Sequence, residues 1–391
     1  MLTLARVYGP DVVCNPRASW SGWHMLRRGD EAARDAFAGG FVTVTGSLPF
    51  LAFRGSLSPE ARALVTGAGL PWPDNLLEYG NEAEFLDLIR DVPPRSLVFQ
   101  NAHPPDPSLD ALYWIPRDLL TRLNDKAELG TLVPSDACPP RRIVTLEDAA
   151  ALPFEPGNTV VLKGSTPMSS GSGGAVLIAR DEAAVRSVPA RLAGCDRVVV
   201  EEFQPFTRTM CLNLAADFRG EVHYIGSADQ VVADDGTYLS SWVSPELTPP
   251  DSAIALARQI MTRAASMGYI GFAGFDVGLL PDGRPLVFDL NFRVCGSTPT
   301  LLWYDEACRR RGPGAWARAI SIWGRIPFAE LCEIGRRLAD GDSFLPLGAF
   351  DPSGTVWDGR IPHLRGVMLG RDRAETEARC EALLAQGLTY R

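Results

Sequence analysis

Lysine is almost absent from this 391-residue chain: of 38 basic residues, 36 are arginine and two are lysine, Lys126 and Lys163. Codon bias toward arginine accounts for exposed surface, where either cation serves. It leaves the two lysines to be explained, because lysine is a compact, flexible point charge and arginine a rigid planar fork. Long apolar runs are missing too; none approaches the roughly 18 residues that span a bilayer, so no membrane partner is expected. The opening MLTLARVYGPDVVC has no apolar core behind a basic stretch, so no signal peptide is expected. The eight cysteines form no C-x-x-C pair, and the four histidines show no metal-ligand spacing with them. That pattern predicts reduced thiols in a cytoplasmic protein. Net positive charge is lacking: the chain carries −9, with a pI near 5.1. No basic field is present to draw in nucleic acid, which is not an expected partner. There is no G-x-x-x-x-G-K-[ST] loop, no G-x-G-x-x-G, no G-x-S-x-G elbow, and no H-R-D or D-F-G.

What is present is ordinary globular material, 46% apolar and 22% charged, long enough for two or three domains. Residues 1–115 alternate short β-like runs (FVTVTG at 41–46, SLVFQ at 96–100) with helical stretches such as EAEFLDLIRD at 82–91, the pattern of an open α/β sheet. A helix-like segment covers 117–133. Strands are predicted at TVVLKGS (159–165), AVLIA (175–179) and RVVVEEF (197–203), with a Gly/Ser loop over 165–174. Residues 249–268 form a long helix with proline near its start and glycine at its end. RPLVFDLNFRV (284–294) is a strong strand, and 311–391 reads as mostly helical with a strand at GVMLG.

The chemistry-bearing residues fall in order. Lys163 sits on an apolar strand and runs into STPMSSGSGG, a loop whose backbone N–H groups can wrap phosphate oxygens; Ser169, Ser170, Gly171, Ser172, Gly173 and Gly174 form its tip. A hairpin tip is the plainer reading of that loop. Glu201, Glu202 and Phe203 end the next strand, where a backbone edge and a carboxylate can meet a purine amino group; solvated acids at a strand end are the alternative. In FAGFDVGLLPDGRPLVFDLNFRV two strands join through PDG, a hairpin signal. Asp276 lies on the first; Asp289 and Asn291, two apart on the second, share a face. Acids inside apolar strands need a cation or a partner. Magnesium suits a few carboxylates plus nucleotide phosphates; a structural ion pair with Arg293 is the competing account.

The order Lys126 (in NDK), Lys163 (in VVLKG), Gly/Ser loop, VVEEF and D…D-x-N-x-R resembles the ATP-grasp superfamily over roughly 117–300. The resemblance implies an N-terminal open α/β domain (1–115), two α+β subdomains that grip ATP (116–195 and 196–310), and a helical extension (311–391) completing the large lobe. It also implies residue roles. Lys126 and Lys163 bind ATP, the 169–174 loop covers its phosphates, and Glu201, Glu202 and Phe203 form the adenine hinge. Asp276, Asp289 and Asn291 hold one or two Mg2+ ions, with Mn2+ as a substitute, and Arg293 and Lys163 act on the transferred phosphate. Many relatives place a ribose-binding glutamate near the position of Arg208; Arg208 and Asn213 are assigned instead to the phosphate or substrate side. DLNFRVCGSTPTLL and YWIPRDLLTRLNDK are similar to peptide-forming carboxylate–amine ligases of bacterial secondary metabolism.

The implied reaction phosphorylates a carboxylate and couples the acyl phosphate to an amine such as an amino acid or peptide. A phosphotransferase acting on a hydroxyl, and a nucleotide-binding module without turnover, are the alternatives. Partners are then small-molecule carboxylate and amine substrates, with a homodimer through the C-terminal segment open. Asn101 and His103, at a strand end, are placed where ligands meet open α/β sheets, against a structural histidine as the plainer reading. Trp20, Trp23 and Trp72 are read as core or pocket wall.

Overall fold

The protein's structure, a computed structural model, is described for residues 1–17, 31–91, 96–155, 157–167, 175–234 and 236–390. The loop Ser169–Gly174 and the residues Trp20 and Trp23 lie outside the described residues. Three sheets carry the rest. The first has β1 (Val12–Asn15), β2 (Phe50–Phe53), β3 (Leu76–Tyr79) and β4 (Ser96–Phe99), all parallel, in the order β3-β2-β1-β4. Its strands are short and apolar on both faces, as a sheet covered on both sides requires.

The second sheet is antiparallel: β5 (Arg141–Val144), β6 (Val160–Ser165), β7 (Val176–Ala179) and β8 (Arg197–Glu202), in the order β5-β8-β6-β7. The third contains β9 (Arg208–Ala216), β10 (Val222–Val232), β11 (Tyr238–Val243), β12 (Gly271–Leu279), β13 (Pro285–Asn291), β14 (Trp316–Trp323), β15 (Phe344–Phe350), β16 (His363–Gly370) and β17 (Thr389–Tyr390). They run β13-β12-β9-β10-β11-β14-β16-β15, with β17 on β14. The PDG turn joins β12 to β13 as its residues predict; Gly283 takes φ +84, a conformation glycine adopts without strain.

Two expectations are corrected. FVTVTG is not a strand: Val42–Val44 is a 3-10 turn, because the Thr45 hydroxyl donates to the Phe41 and Val42 carbonyls and competes with extended pairing. Residues 311–391 are not mostly helical. They hold two helices, Phe328–Asp340 and Arg373–Leu384, and the four strands β14–β17. Alanine and arginine in WARAISIW favour a helix locally, but the open edge of β11 recruits the segment as a strand, and tertiary pairing overrides propensity. The segment extends the third sheet beyond β11.

Alternation on β9 sets the geometry of everything that follows. Met210, Leu212, Leu214 and Ala216 point to the face covered by the helix Asp251–Ser266, where they pack on Ala253, Ala257, Ile260, Met261 and Ala264. Burying each large side chain contributes about 2 kcal/mol. Cys211 and Asn213 therefore face the other way. The N-terminal domain closes on the large lobe through buried polar ties. Gln100 Oε1, just past β4, accepts from the Val294 amide at 2.9 Å, and Trp357 Nε1 donates to Asp35 at 2.8 Å.

His103 is a structural histidine, as the plainer reading had it. It is 3% exposed, lies between Phe85 and Phe99, and its carbonyl accepts from Arg117. Burial, then the charges of Arg17 and Arg117, push its pKa down to about 4. The unfolded chain then binds a proton that the native one refuses. Native stability is full above about pH 6.5 and falls as pH drops toward 4, by about 2 kcal/mol at pH 5 relative to pH 7. Thermal melts across pH 4–8 should show this slope in the wild type and a shallower one in His103→Gln. Identical slopes would remove His103 from the account.

Candidate active site

The two lysines, 37 residues apart in sequence, converge on one strand. Lys126 Nζ lies 2.7 Å from Asp289 Oδ1. Lys163 Nζ donates to the Phe288 carbonyl at 2.5 Å and lies 2.6 Å from Glu201 Oε2. Lys126 follows the helix Arg117–Asn124 in a short 3-10 turn capped by Asp125, which accepts from the Ala127 amide. Asp125 also accepts from Ser165 Oγ at 2.6 Å and from Arg197. Asn124 binds the Phe292 amide through Oδ1 at 3.0 Å. The NDK triplet thus docks to the small sheet at one end and to the end of β13 at the other.

On the large sheet Asp276 stands directly opposite Asp289, and Gly274 opposite Asn291. Asn291 Nδ2 lies 3.5 Å from Asp276 Oδ2. The expected oxygen trio is therefore one cross-strand cluster. The acids are crowded by protein yet not sealed from solvent; Asp289 keeps 21% exposure. Their chemistry diverges with their neighbours. Desolvation and then the Asp289 charge raise the Asp276 carboxyl to about 7. Asp289 is desolvated too, but the ammonium groups of Lys126 and Lys163 hold its pKa below the ordinary value. Two like charges side by side cannot both ionise freely without added positive charge.

Arg293 makes no ion pair with either acid. The strand ends at Asn291, so alternation does not carry to Arg293, and its guanidinium donates to Asn124 Oδ1 at 3.4 Å. Its charge still lowers the pKa of both acids.

Glu201 is 2% exposed and faces inward. It opposes Arg141 across β5–β8 and lies diagonal to Lys163 across β6–β8. Its side chain is thus tied to Lys163, with Arg141 Nη1 at 3.6 Å, and is not free to meet a base. Glu202 and Phe203 are exposed at the strand end, Phe203 by 44%. Asn213 shares the acid face but is consumed: it donates to Ser297 Oγ at 3.1 Å and accepts from Thr298 Oγ1 at 2.6 Å, fastening the loop after β13.

Arg208 is corrected. It shares the parity of Met210, so it points to the helix-covered face, away from the acids. There it pairs with Asp229 through two bonds of 2.8 and 2.6 Å and binds the Leu247 and Thr248 carbonyls. Arg208→Ala should lower stability by about 1–2 kcal/mol, a partly buried bidentate pair being worth less than a fully buried one. The KM for ATP should stay within a factor of about two; a larger rise would return Arg208 to the nucleotide.

Sequence reasoning missed Gln230, whose Nε2 donates to Asp276 Oδ1 at 2.9 Å. It also missed Asn124, Asp125 and Arg141, the last with its guanidinium on the Lys126 carbonyl. Adjacency to Lys126 was the only available signal, and it applies to Asn124 and Asp125 alone.

Two lobes closing on a paired-lysine, paired-acid cleft define the ATP-grasp class. A family model described as the L-aspartate–L-methionine ligase ATP-grasp domain matches residues 139–291, and one for the N-terminal domain of L-aspartate–L-methionine ligase matches 3–121. Among solved structures, an ADP complex of N5-carboxyaminoimidazole ribonucleotide synthetase is similar over 97% of this chain and 98% of its own, at 14% identity and TM-score 0.58. An L-amino acid ligase from Bacillus licheniformis is similar over 88% and 93%, at 16% identity and TM-score 0.52. A biotin carboxylase from Campylobacter jejuni covers 97% and 92%, at 13% and 0.55. At these identities the likeness carries the fold. The chain belongs to the ATP-grasp superfamily, and within it to the carboxylate–amine ligases. It is an ATP-dependent enzyme that forms C–N bonds between small molecules, amino acids among them.

Proposed function

We propose that this enzyme joins L-aspartate to L-methionine, or to an amino acid of similar shape, through an acyl phosphate. Convergence of Lys126 and Lys163 on the β13 strand that carries Asp289 is the observation on which the mechanism rests. The substrate pair is supported by the description of the matching family. A carboxylate oxygen of the first amino acid attacks the γ-phosphorus of ATP, and ADP leaves. The amine of the second attacks the acyl carbon, releasing phosphate and a proton and forming the amide. No enzyme nucleophile is needed.

Catalysis of this kind works by positioning and charge. Lys163 and Lys126 bind the nucleotide's phosphates and orient them over the acid row. Glu202 and Phe203 flank the adenine. Arg293 steadies the transferred phosphoryl group or the oxyanion at the acyl carbon. Asp276, Asp289 and Asn291 suit magnesium: two crowded carboxylates, of which Asp276 has its pKa raised and no ion pair among the described residues, form a hard-oxygen set. Bound there, the ion would neutralise phosphate charge and so ease attack. Among the described residues no helix is long and apolar enough to cross a membrane.

The test is direct. Incubation with ATP, Mg2+, L-aspartate and L-methionine should release ADP and phosphate in step with a product of dipeptide mass. Other amino acid pairs serve as the comparison panel. A phosphorylated product without an amide would favour the phosphotransferase reading instead.

A further inference from the structure

Arg365, half-buried on β16, has no acid paired to it among the described residues. Its Nη1 donates to the Phe37 carbonyl at 2.8 Å, and its guanidinium lies 4.2 Å from the Phe37 ring centroid. Burial pushes its pKa down to about 10, against which the Tyr238 phenol raises it. Several other crowded arginines do have acids: Arg17 has Asp35 and Glu31, Arg208 has Asp229, Arg310 has Glu306. A desolvated charge left unbalanced is costly, and in a ligand-binding cleft the balancing charge can belong to the ligand.

The register places Arg365 on the face that carries the acids. Asp276 opposes Cys211, which opposes Ala228. Gln230, two residues along, opposes Ser241, which opposes Ala319, which opposes Val367. Arg365 is two residues from Val367, with no bulge in any of these stretches, so strand alternation keeps all of them on one side. Tyr238 lies between the two ends. Its hydroxyl bonds Ser241 Oγ at 2.8 Å, a Cβ on Gly296, in the loop after β13, would lie 3.6 Å from it, and the Arg365 charge lowers its pKa against the rise from burial. Arg365 is seated by glycine: a Cβ on Gly40 would stand 3.0 Å from its Nη1, and one on Gly348 would meet the Gly39 carbonyl at 2.6 Å. The chain forgoes side chains at both positions so that the end of the helix Glu31–Gly39 and the guanidinium can meet.

We propose that Arg365 anchors a free carboxylate of an amino acid substrate, one that takes no part in the bond being made. This rests on the ligase reading above and names the group recognised. The carboxylate belongs either to the amine donor or to the spare acid of the activated amino acid; the chemistry is the same, and amide analogues separate the two.

The experiment is a titration in Mg2+ and a non-hydrolysable ATP analogue, so its readout does not need turnover. The probes are L-methionine, L-methioninamide, L-aspartate, L-asparagine and L-isoasparagine, with wild type, Arg365→Gln and Phe37→Ala. Arg365→Gln keeps a donor for the Phe37 carbonyl and drops the charge. One acid should bind wild type on the order of 100-fold tighter than its amide. Arg365→Gln should reduce that acid to the level of its amide, leaving affinity for the ATP analogue and Tm unchanged. Phe37→Ala should keep the preference within a few-fold. Equal affinity, or none, for acid and amide in every pair overturns the proposal. So does a preference that survives Arg365→Gln, or a loss that Phe37→Ala reproduces together with a lower Tm, which would make Arg365 a latch for the helix. Failure of the ligase reading shows elsewhere, as no dipeptide from aspartate and methionine in the turnover assay.

Discussion

Asp289→Asn is expected to lower amino-acid-dependent ADP release on the order of 100- to 1,000-fold while the protein stays as stable as wild type or gains slightly. The two halves of this result have one cause. Asp289 is the acid that stays ionised: Lys126 sits 2.7 Å away, and the charges of Lys126 and Lys163 outweigh its desolvation. Losing that charge takes a fixed anionic group from a site that works by preorganised electrostatics. Yet asparagine still offers Lys126 an oxygen, and Asp276 is relieved of the like charge that raises its carboxyl. Function therefore falls where the fold is unburdened, the usual sign of strain kept at an active site. Steady-state ADP release and a thermal melt on the same preparation test both halves. Activity within about 10-fold of wild type, against the 100-fold or more that loss of such a group costs, would mean the acids are not the catalytic row. A large drop in Tm would mean Asp289 serves the fold.

Lys163 gives the second large effect, and the chain's composition makes it pointed. In a protein that uses arginine at 36 of 38 basic positions, Lys163→Arg should still be damaging. The ammonium fits between the Phe288 carbonyl and Glu201, with its side chain 6% exposed. Arginine's wider planar head cannot take that place without moving β13 against β6. Lys163→Ala should be worse. It leaves Glu201 buried with only the distant Arg141, at a cost of about 3–5 kcal/mol, and removes a cation from the phosphates. The ATP affinity should fall on the order of 100-fold in Lys163→Ala and less in Lys163→Arg. The double variant Lys163→Met/Glu201→Gln separates the effects: it should recover most of the Tm and none of the ATP affinity. Recovery of both would show that Lys163 serves the fold alone.

Much of the site was legible because strand alternation is a local rule. Asp289 and Asn291 share a face by spacing alone, and PDG sets the hairpin that brings Asp276 beside them. The same rule misplaced Arg293, since alternation stops where β13 ends. Arg208 was misassigned for a related reason: which parity of β9 faces the helix Asp251–Ser266 depends on packing. Glu201 looked like a free strand-end acid because its neighbours Arg141 and Lys163 arrive from other strands. Gln230 and Arg365 carry no local signal at all.

The sequence by itself determined the ordered set of lysines and acids, the β12–β13 hairpin, and hence the class of chemistry, because each depends on spacing within one short segment. Only the tertiary structure decided that β14–β17 extend the large sheet and that Glu201 binds Lys163. It alone turned Arg208 away from the cleft and set Arg365 on the face that carries the acids. Those outcomes depend on the register between strands that are distant in sequence, such as β8 beside β6 and β16 beside β14, and on which face of a strand the helices cover. Register and face are settled by burial summed over the whole core, a quantity that no single segment contains.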